Sequence, residues 1–288
     1  MKVSVVIVNW NAKHDVLKAV ASVVAKTQDL AYEIIVVDNA SSDGSVAALR
    51  ERFPNLTIIA SAKNRGFNGG NNLGIAKAQG EYILLLNPDT ELSNNAIKIL
   101  ADYLDAHQEV GAVGPKILND DGSIQLTCAR RMPTWWTEFN EAHLLGRVFP
   151  SSHFFTDNEI RFWDHRDSRP IEALSGACML FRKTVIEKRG MLDERYFIYG
   201  DDLDLCMQVA KAGYTLFYNS DAVIVHHGGH STRQIPLKRI WMDVTSKSYF
   251  FRKNRGTGQW LLYLPSAAIV LIRQSVAATL RIIFGRKK

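Results

Sequence analysis

The chain has few cysteines and no recognisable disulfide or zinc-binding pattern. Its 288 residues include only Cys128, Cys178 and Cys206, which lie far apart and form no Cys-x-x-Cys pair. This spacing excludes a disulfide framework and a cysteine-based zinc site, and it predicts a reducing compartment. The N-terminus also lacks the long apolar run and the small-residue cleavage site of a signal peptide, so we expect a cytoplasmic protein.

Internal repeats and low-complexity segments are absent from the sequence, and acidic residues are scarce at its C-terminal end. From Arg233 onward there are 12 lysines and arginines but one acid, Asp243, giving a net charge of +11. Residues 1–232 therefore carry −5, although the whole chain carries +6. This asymmetry argues against a nucleic-acid-binding groove across the body and favours a C-terminal segment that contacts an anionic surface.

The first hundred residues alternate between predicted strands and helices. Short, apolar, β-branched runs predict strands at 3–8, 33–38, 56–60 and 82–86, separated by helices at 12–26, 44–52, 70–79 and 93–107. This alternation is typical of an α/β fold with a mostly parallel sheet and helices on both faces. Later segments are less regular, with short strands and turns at 111–131, strands at 171–181, 214–218 and 222–226, and a helix from Asp202 to near Gly213.

Aromatic residues cluster between residues 134 and 170. We interpret this segment either as a mobile loop or lid beside the site, or as a satellite core beneath a long loop. The cluster comprises Trp135, Trp136, Phe139, Phe149, Phe154, Phe155, Phe162 and Trp163.

Carboxylates follow the ends of two predicted strands, where ligands of α/β sheets bind. Asp38 ends the second strand and can accept hydrogen bonds from a base or a ribose. Asp89 follows the fourth strand in Leu86-Asn87-Pro88-Asp89, where a hard divalent cation on a diphosphate would find an oxygen ligand. The alternatives are a helix-capping turn after Asp38 and an ordinary turn carboxylate at Asp89.

Three further motifs suggest a site. The glycine-rich stretch Asn64–Gly74 permits close backbone approach and opens a helix, although a ligand-free turn would look the same. His226 ends an apolar strand and could complete a metal site with Asp89, or be a structural histidine. Asp201, Asp202 and Asp204 lie close enough for repulsion to raise at least one pKa, which suits a general base; otherwise they only favour a helix N-terminus.

Taken in order, these motifs resemble glycosyltransferase family 2, the inverting nucleotide-sugar transferases with the GT-A fold, in its rhamnosyltransferase-like branch. The resemblance covers about residues 3–232 and includes Val37–Ser45, Leu86–Thr90, Ser175-Gly176-Ala177 and Asp201–Cys206. It implies a catalytic domain at 1–232, with a nucleotide-binding half at 1–110 and an acceptor-binding half at 111–232. A basic helical extension would occupy 233–288.

The resemblance also implies the role of each site residue. Asp202 would be the catalytic base, with Asp201 as the open alternative. Asp89 would hold Mg²⁺ or Mn²⁺ on the diphosphate, helped by His226, whereas Asn87 replaces the first acid of the family's Asp-x-Asp motif and is not assigned to the metal. The nucleotide-sugar pocket would comprise Val8, Asn9, Asp38, Asn64, Gly66, Asn87, Asp89, Ser175 and Gly176.

The implied reaction is a single displacement from a nucleotide-diphospho-sugar donor to a hydroxyl of a saccharide or lipid-linked saccharide acceptor. Two other functions stay open: a sugar-phosphate nucleotidyltransferase, and a non-catalytic membrane scaffold with the same fold. The first would need a glycine-rich basic loop after the first strand, where Asn9-Trp10-Asn11-Ala12 stands. The second would not need Asp38, Asp89 and Asp202.

The C-terminal segment Trp260–Phe284 is strongly apolar but interrupted by Arg273 and Arg281. Its charge-free part is short for a spanning helix of about 20 residues. We expect an amphipathic helix in the plane of the membrane, peripherally bound to the inner face of the plasma membrane. The alternative is a helix packed on the catalytic body or in a homodimer.

Overall fold

The computed structural model describes residues 1–149, 152–156, 160, 163–228 and 236–284. Its first half is a parallel α/β unit. Strands β1 (Val3–Asn9), β2 (Tyr32–Asp38), β3 (Thr57–Ala60) and β4 (Tyr82–Leu86) pair in parallel in the order β3-β2-β1-β4. They alternate with helices α1 (Lys13–Lys26), α2 (Ser45–Arg52) and α3 (Gly66–Ile75). Helix α3 begins four residues earlier than predicted, since the Asn64 side chain accepts from the Gly66 amide at its start.

The second half extends this sheet with strands of both directions. It contains β5 (Thr90–Leu92), α4 (Ala96–Ala106), β6 (Val110–Leu118), β8 (Arg169–Ile171), β10 (Cys178–Arg182) and β11 (Thr215–His226). The main path is β3-β2-β1-β4-β10-β6-β11-β5, with β8 also paired to β11. Strand β10 lies antiparallel between β4 and β6, so the sheet is parallel in its first half and mixed beyond.

Several predicted boundaries in this half are wrong. Residues 171–181 form parts of three strands, of which β9 (Ala173–Leu174) pairs with β7 (Ala129–Arg130) in a small second sheet. The predicted strands at 214–218 and 222–226 are one strand, β11, bent by an irregularity between Asn219 and Val223. Strand β5 has no signal in the sequence because it forms only by pairing with the end of β11.

Two hydrophobic layers cover the faces of the sheet, because successive strand side chains point to opposite sides. Val5 and Ile7 of β1 face α1, α2 and α4, whereas Val6 and Val8 face α3 and the later helices. The later helices are α8 (Lys183–Arg189) and α9 (Asp201–Lys211). The strand ends are thereby held in a rigid α/β scaffold.

The described part of the aromatic segment contains three helices, α5 (Trp135–Ala142), α6 (Leu145–Val148) and α7 (His153–Thr156). Trp136 stacks on Phe139 and contacts Phe154, whose residue surface is 63% exposed. Trp163 instead is buried in the main core against Tyr218. Phe162 lies outside the described residues.

The C-terminal extension packs one face on the body. It comprises α10 (Pro236–Phe250), a π-helical turn (Phe251–Arg255) and α11 (Gly256–Phe284). Phe250 and Phe251 are fully buried, and Tyr263 stacks on Phe251. By length and composition alone, the helical stretch Lys238–Leu280 could cross a membrane.

Candidate active site

The predicted site residues gather along one edge of the sheet, at the carboxyl ends of neighbouring strands. Asn9 at the end of β1 is paired with Asp38 at the end of β2. Strand β4 lies on the other side of β1 and leads into Asn87–Asp89. Because β10 is antiparallel to β4, its start lies at the same edge, and the Asn87 amide donates to the Ala177 carbonyl at 2.9 Å.

Asp38 is almost completely buried and organises the surrounding turns. Its Oδ1 accepts from Asn9 Nδ2 at 3.0 Å, and its Oδ2 accepts from the Ser41 amide at 2.9 Å. Its residue surface is only 2% exposed. Asp38 therefore fixes the ends of β1 and β2 relative to each other, and a direct contact with a base or a ribose stays a prediction.

The glycine-rich loop is tied to the end of β2 by Asn39, a residue that the sequence reasoning missed. Asn39 Nδ2 donates to the Gly66 carbonyl at 2.9 Å, while its Oδ1 accepts from the Arg65 amide at 3.0 Å. Gly66 has φ +73°, and a Cβ there would lie 2.6 Å from the Phe197 carbonyl oxygen. Part of the glycine requirement therefore comes from packing against the chain before α9, in addition to any ligand.

Asp89 and His226, the two predicted metal ligands, face each other. The distance between His226 Nε2 and Asp89 Oδ1 is 3.2 Å, and both side chains are mostly buried. Asn87 Nδ2 lies 3.4 Å from the same ring nitrogen. These contacts form because β5, which follows Asp89, pairs antiparallel with the end of β11.

Gln125 fixes the tautomer of His226, and sequence reasoning missed it. Its Nε2 donates to the His226 carbonyl at 2.6 Å, which orients the amide so that Oε1 faces Nδ1 of the ring at 3.0 Å. Since Oε1 can only accept, Nδ1 carries a proton, and Nε2 is the ring nitrogen that faces Asp89. Such hydrogen bonds commonly orient metal-binding histidines.

This donor set fits a divalent cation. Two ligands about 2.1 Å from one ion and at right angles to each other lie about 3 Å apart, close to the observed Asp89–His226 separation. No group of three histidine, cysteine or acidic ligands occurs among the described residues. A cation here would also accept oxygen ligands from a diphosphate and water.

Replacing Gln125 by leucine should weaken Mn²⁺ binding by about 10- to 100-fold, the usual cost of losing such a supporting contact. Without the amide, His226 can adopt the other tautomer or rotate. Mn²⁺ affinity in the presence of nucleoside diphosphate, followed by electron paramagnetic resonance, measures the effect. Gln108→Leu is the matched control, since Gln108 is exposed and its side chain, among the described contacts, bonds within its own turn. Equal affinities in both variants would refute this role of Gln125.

The residue after His226 is engaged with carboxylates of its own. His227 lies between two carboxylates, contacting Asp120 through Nδ1 and Glu91 through Nε2 at 3.0 Å. Both ring nitrogens are thereby engaged, and the two acids raise its pKa although burial opposes them. His230 lies outside the described residues.

The three acids of α9 have different surroundings. Asp204 is buried and bonded to Tyr196, Lys253 and Asn254, so it has a structural role. Asp202 Oδ2 accepts from Arg130 Nη2 at 2.7 Å. Arg130 had not been predicted. Of the three acids, only Asp201 and Asp202 can still serve as the base.

Both acids border the Ser175–Gly176 segment. A Cβ on Gly176 would lie 3.2 Å from the Asp202 Cβ and 3.6 Å from Asp201 Oδ2. This segment leads directly into Ala177, which is bonded to Asn87. The structure therefore brings together the predicted base, Ser175–Gly176 and the Asn87–Asp89 turn.

Burial raises the pKa of Asp201 to about 7, with a further rise from the neighbouring charge of Asp202 and smaller opposition from Arg130. Its ordinary value is 3.8. Between these two pH values the folded protein holds a proton that the unfolded chain releases. Stability contributed by this group therefore falls as pH rises from about 4 to about 7.

Asp201→Asn should accordingly raise the melting temperature relative to wild type more at pH 8 than at pH 5. The wild-type protein carries the unfavourable charge pair only at the higher pH, whereas the asparagine variant never carries it. Melting curves of both proteins at the two pH values measure this difference. A stability difference that is the same at pH 5 and pH 8 would contradict the raised pKa of Asp201.

A central sheet that is parallel in its first half, with helices on both faces and acids at its strand ends, is the architecture of the GT-A fold. The mannosyltransferase PcManGT from Pyrobaculum calidifontis, in complex with GDP-Man and Mn²⁺, superposes with a TM-score of 0.61 at 18% identity. The match covers 98% of this chain and 75% of that one. GalNAc-T7 with UDP, GalNAc and Mn²⁺ gives 0.58 at 17% identity, over 87% of this chain and 50% of that one.

The chain belongs to glycosyltransferase family 2 and is a glycosyltransferase. The profile of Glycosyl transferase family 2 matches residues 4–190. The N-acetylglucosaminyl-diphospho-decaprenol L-rhamnosyltransferase of Mycobacterium tuberculosis is 31% identical over 238 residues, which are 79% of this chain and 76% of that protein. Rhamnosyltransferase WbbL of Escherichia coli is 24% identical, over 77% of this chain and 83% of its own length.

Proposed function

We propose that this glycosyltransferase moves L-rhamnose from a nucleotide-diphosphate donor to a hydroxyl of a lipid-diphosphate-linked saccharide, with inversion. The observation that carries the proposal is the row of strand ends that places Asp38, the Asp89–His226 pair and the acids of α9 along one edge. The sugar and the acceptor class are those named for the mycobacterial relative. Family membership speaks against the nucleotidyltransferase and scaffold alternatives.

In the proposed reaction, Asp202 removes the proton of the acceptor hydroxyl, and the oxygen bonds to the anomeric carbon. The bond from that carbon to the diphosphate breaks on the opposite face, and the nucleoside diphosphate leaves with the electron pair. Arg130 holds the Asp202 carboxylate in place. A Mg²⁺ or Mn²⁺ ion held by Asp89 and His226 would stabilise the charge that develops on the leaving diphosphate.

A panel of nucleotide sugars tests the donor. Thermal unfolding is followed with dTDP-L-rhamnose, UDP-N-acetylglucosamine and GDP-mannose, each with Mn²⁺, because a ligand that binds only the folded state raises its stability. The donor that gives the largest shift is then incubated with N-acetylglucosaminyl-diphospho-prenol. We expect dTDP-L-rhamnose to stabilise most and to yield an inverted rhamnosyl product. No shift with any donor, or retention of configuration, would refute the proposal.

Membrane attachment fits the exposed face of α11. Apolar side chains at spacings of three, four and eight residues lie within about 100° of each other on the helix, opposite the buried Tyr263 and Ala267. Arg273, which interrupts the apolar run of this segment, donates to the carbonyls of Glu141 and Ala142 at the end of α5. The exposed strip comprises Leu261, Ile269, Ile272, Val276 and Leu280.

A variant with four serine substitutions should move from the membrane fraction to the soluble fraction. The substituted residues are Leu261, Ile272, Val276 and Leu280. Each methylene buried in lipid contributes about 0.8 kcal/mol to membrane binding, so removing these side chains removes most of the affinity for lipid. Serine at Val24, Val148 and Met191, three exposed apolar residues elsewhere, is the control. Unchanged partitioning would exclude the lipid surface, and a change from dimer to monomer by light scattering would favour a homodimer instead.

A further inference from the structure

The chain that leads into the catalytic acids has an unusual backbone. Tyr199 and Gly200 both lie in the left-handed region, with φ values of +67° and +72°. Glycine adopts this conformation freely, but a bulky residue such as Tyr199 does so only where its surroundings hold it. These two residues immediately precede Asp201 and Asp202, so whatever holds them sets the position of the acids.

The C-terminal extension supplies contacts to this chain. We call residues 191–200, between α8 and α9, the approach loop, and residues 246–254 the C-terminal clamp. Ser246 Oγ donates to the Ile198 carbonyl at 3.0 Å, next to the left-handed pair. Tyr249 donates its hydroxyl hydrogen to Asp193 Oδ2 at 3.0 Å, at the start of the approach loop.

Lys253 joins the approach loop to the helix that carries the acids. Its Nζ lies 2.8 Å from Asp193 Oδ2 and 2.8 Å from Asp204 Oδ2. Asn254 Nδ2 donates to Asp204 Oδ1 at 2.8 Å. The ammonium group therefore bridges one carboxylate on each side of the left-handed pair, and it lies within the π-helical turn, a distortion often found at functional sites.

The approach loop also touches the glycine-rich loop of the donor pocket. The Phe67 amide donates to the Phe197 carbonyl at 2.8 Å, and Asn68 Nδ2 donates to the Asp193 carbonyl at 2.9 Å. A shift of the approach loop would therefore move the acids relative to the donor. The C-terminal clamp contacts this same loop through Ser246, Tyr249 and Lys253.

We propose that Lys253 is a positioning residue for the transfer reaction, which holds the approach loop and α9 so that the catalytic acid faces the sugar. The inference rests on the proposed function. It explains why an extension with an exposed apolar face also contributes polar contacts to the catalytic body. It also makes the C-terminal helices part of the catalytic machinery as well as a surface for the membrane.

The test compares Lys253→Met, Lys253→Arg and the control Lys98→Met in the full-length protein. Lys98 is also ion-paired, but on the outer helix α4. The probes are dTDP-L-rhamnose, Mn²⁺ and N-acetylglucosaminyl-diphospho-prenol. We expect Lys253→Met to lower kcat by about 100-fold with little change in the donor KM, because a small displacement of a reacting group costs about that much. Arginine should recover most of the rate, since its guanidinium can also bridge two carboxylates.

Hydrogen exchange of the backbone amides gives a second measurement that does not depend on turnover. In Lys253→Met, exchange should rise in residues 193–206 and stay unchanged in β1 to β4. The inference is overturned if Lys253→Met keeps both the kcat and the amide exchange of the wild-type protein. It is also overturned if exchange rises uniformly in this variant while kcat is unchanged. If wild type transfers no sugar, the proposed function fails while the exchange pattern still decides the role of Lys253. If Lys253→Met does not fold, Asp193→Asn is used in its place in both measurements.

Discussion

Asp202→Asn should lower kcat for sugar transfer by about 1,000-fold, the middle of the range for losing a general base. The asparagine keeps the size of the side chain and its contact with Arg130 through the amide oxygen, so the fold should persist. It cannot take a proton from the acceptor hydroxyl. Initial rates of nucleoside diphosphate release with the acceptor present, at saturating donor, measure the loss.

Asp201→Asn and Asp102→Asn are the comparisons that give this result its meaning. Asp102 is an exposed residue of α4 that pairs only with Lys98 in the described contacts, so its variant should keep the wild-type rate. Asp201 tests the remaining alternative, because its raised pKa also suits a base near neutral pH. A 1,000-fold loss at Asp201 with a nearly intact rate at Asp202 would assign the base to Asp201.

Asp89→Asn should abolish Mn²⁺-dependent nucleotide binding and reduce kcat by about 1,000-fold, since a cation on the diphosphate supplies several kcal/mol of stabilisation in the transition state. The neutral amide keeps one oxygen donor but loses the charge that a hard cation requires. Isothermal titration of Mn²⁺ with dTDP present, together with transfer rates at increasing Mn²⁺, separates weaker binding from slower chemistry.

Asn87→Asp is the matched variant in the same turn. It adds a carboxylate two residues before Asp89 and restores an Asp-x-Asp sequence, so it should bind Mn²⁺ at least as tightly as wild type. Two results together would contradict both the metal requirement and the role of Asp89 as its ligand. The first is that Asp89→Asn binds Mn²⁺ and transfers sugar like the wild-type protein. The second is that a chelator does not slow the wild-type protein.

Much of the site could be predicted because its residues follow strands whose apolar pattern is strong. Asp38 and Asp89 were found from the strands that precede them, and parallel strands of one sheet place their ends at one edge. Asp202 and His226 were found from the family motif and from the end of an apolar run. The direct roles of Asp38, Val8, Asn64 and Ser175 toward a nucleotide sugar stay predictions.

The supporting residues could not be predicted, since no local pattern marks them. Gln125 reaches His226 across 101 positions, and Arg130 reaches Asp202 across 72. Lys253 looked like one of many basic residues in the C-terminal segment, and Asp204 looked like a third competitor for the base. Their partners are known only once β11 has paired with β6 and the C-terminal helices have packed.

The sequence by itself determined the α/β order, the strands of the first half and the acids at their ends, because these follow from local apolar periods of two and 3.6 residues. The tertiary structure alone decided which acid remains near a neutral pKa, which histidine tautomer faces Asp89, and what the basic C-terminal segment holds. Those properties depend on burial and on charges brought within a few ångströms by distant parts of the chain, and neither burial nor such distances are written in a local pattern.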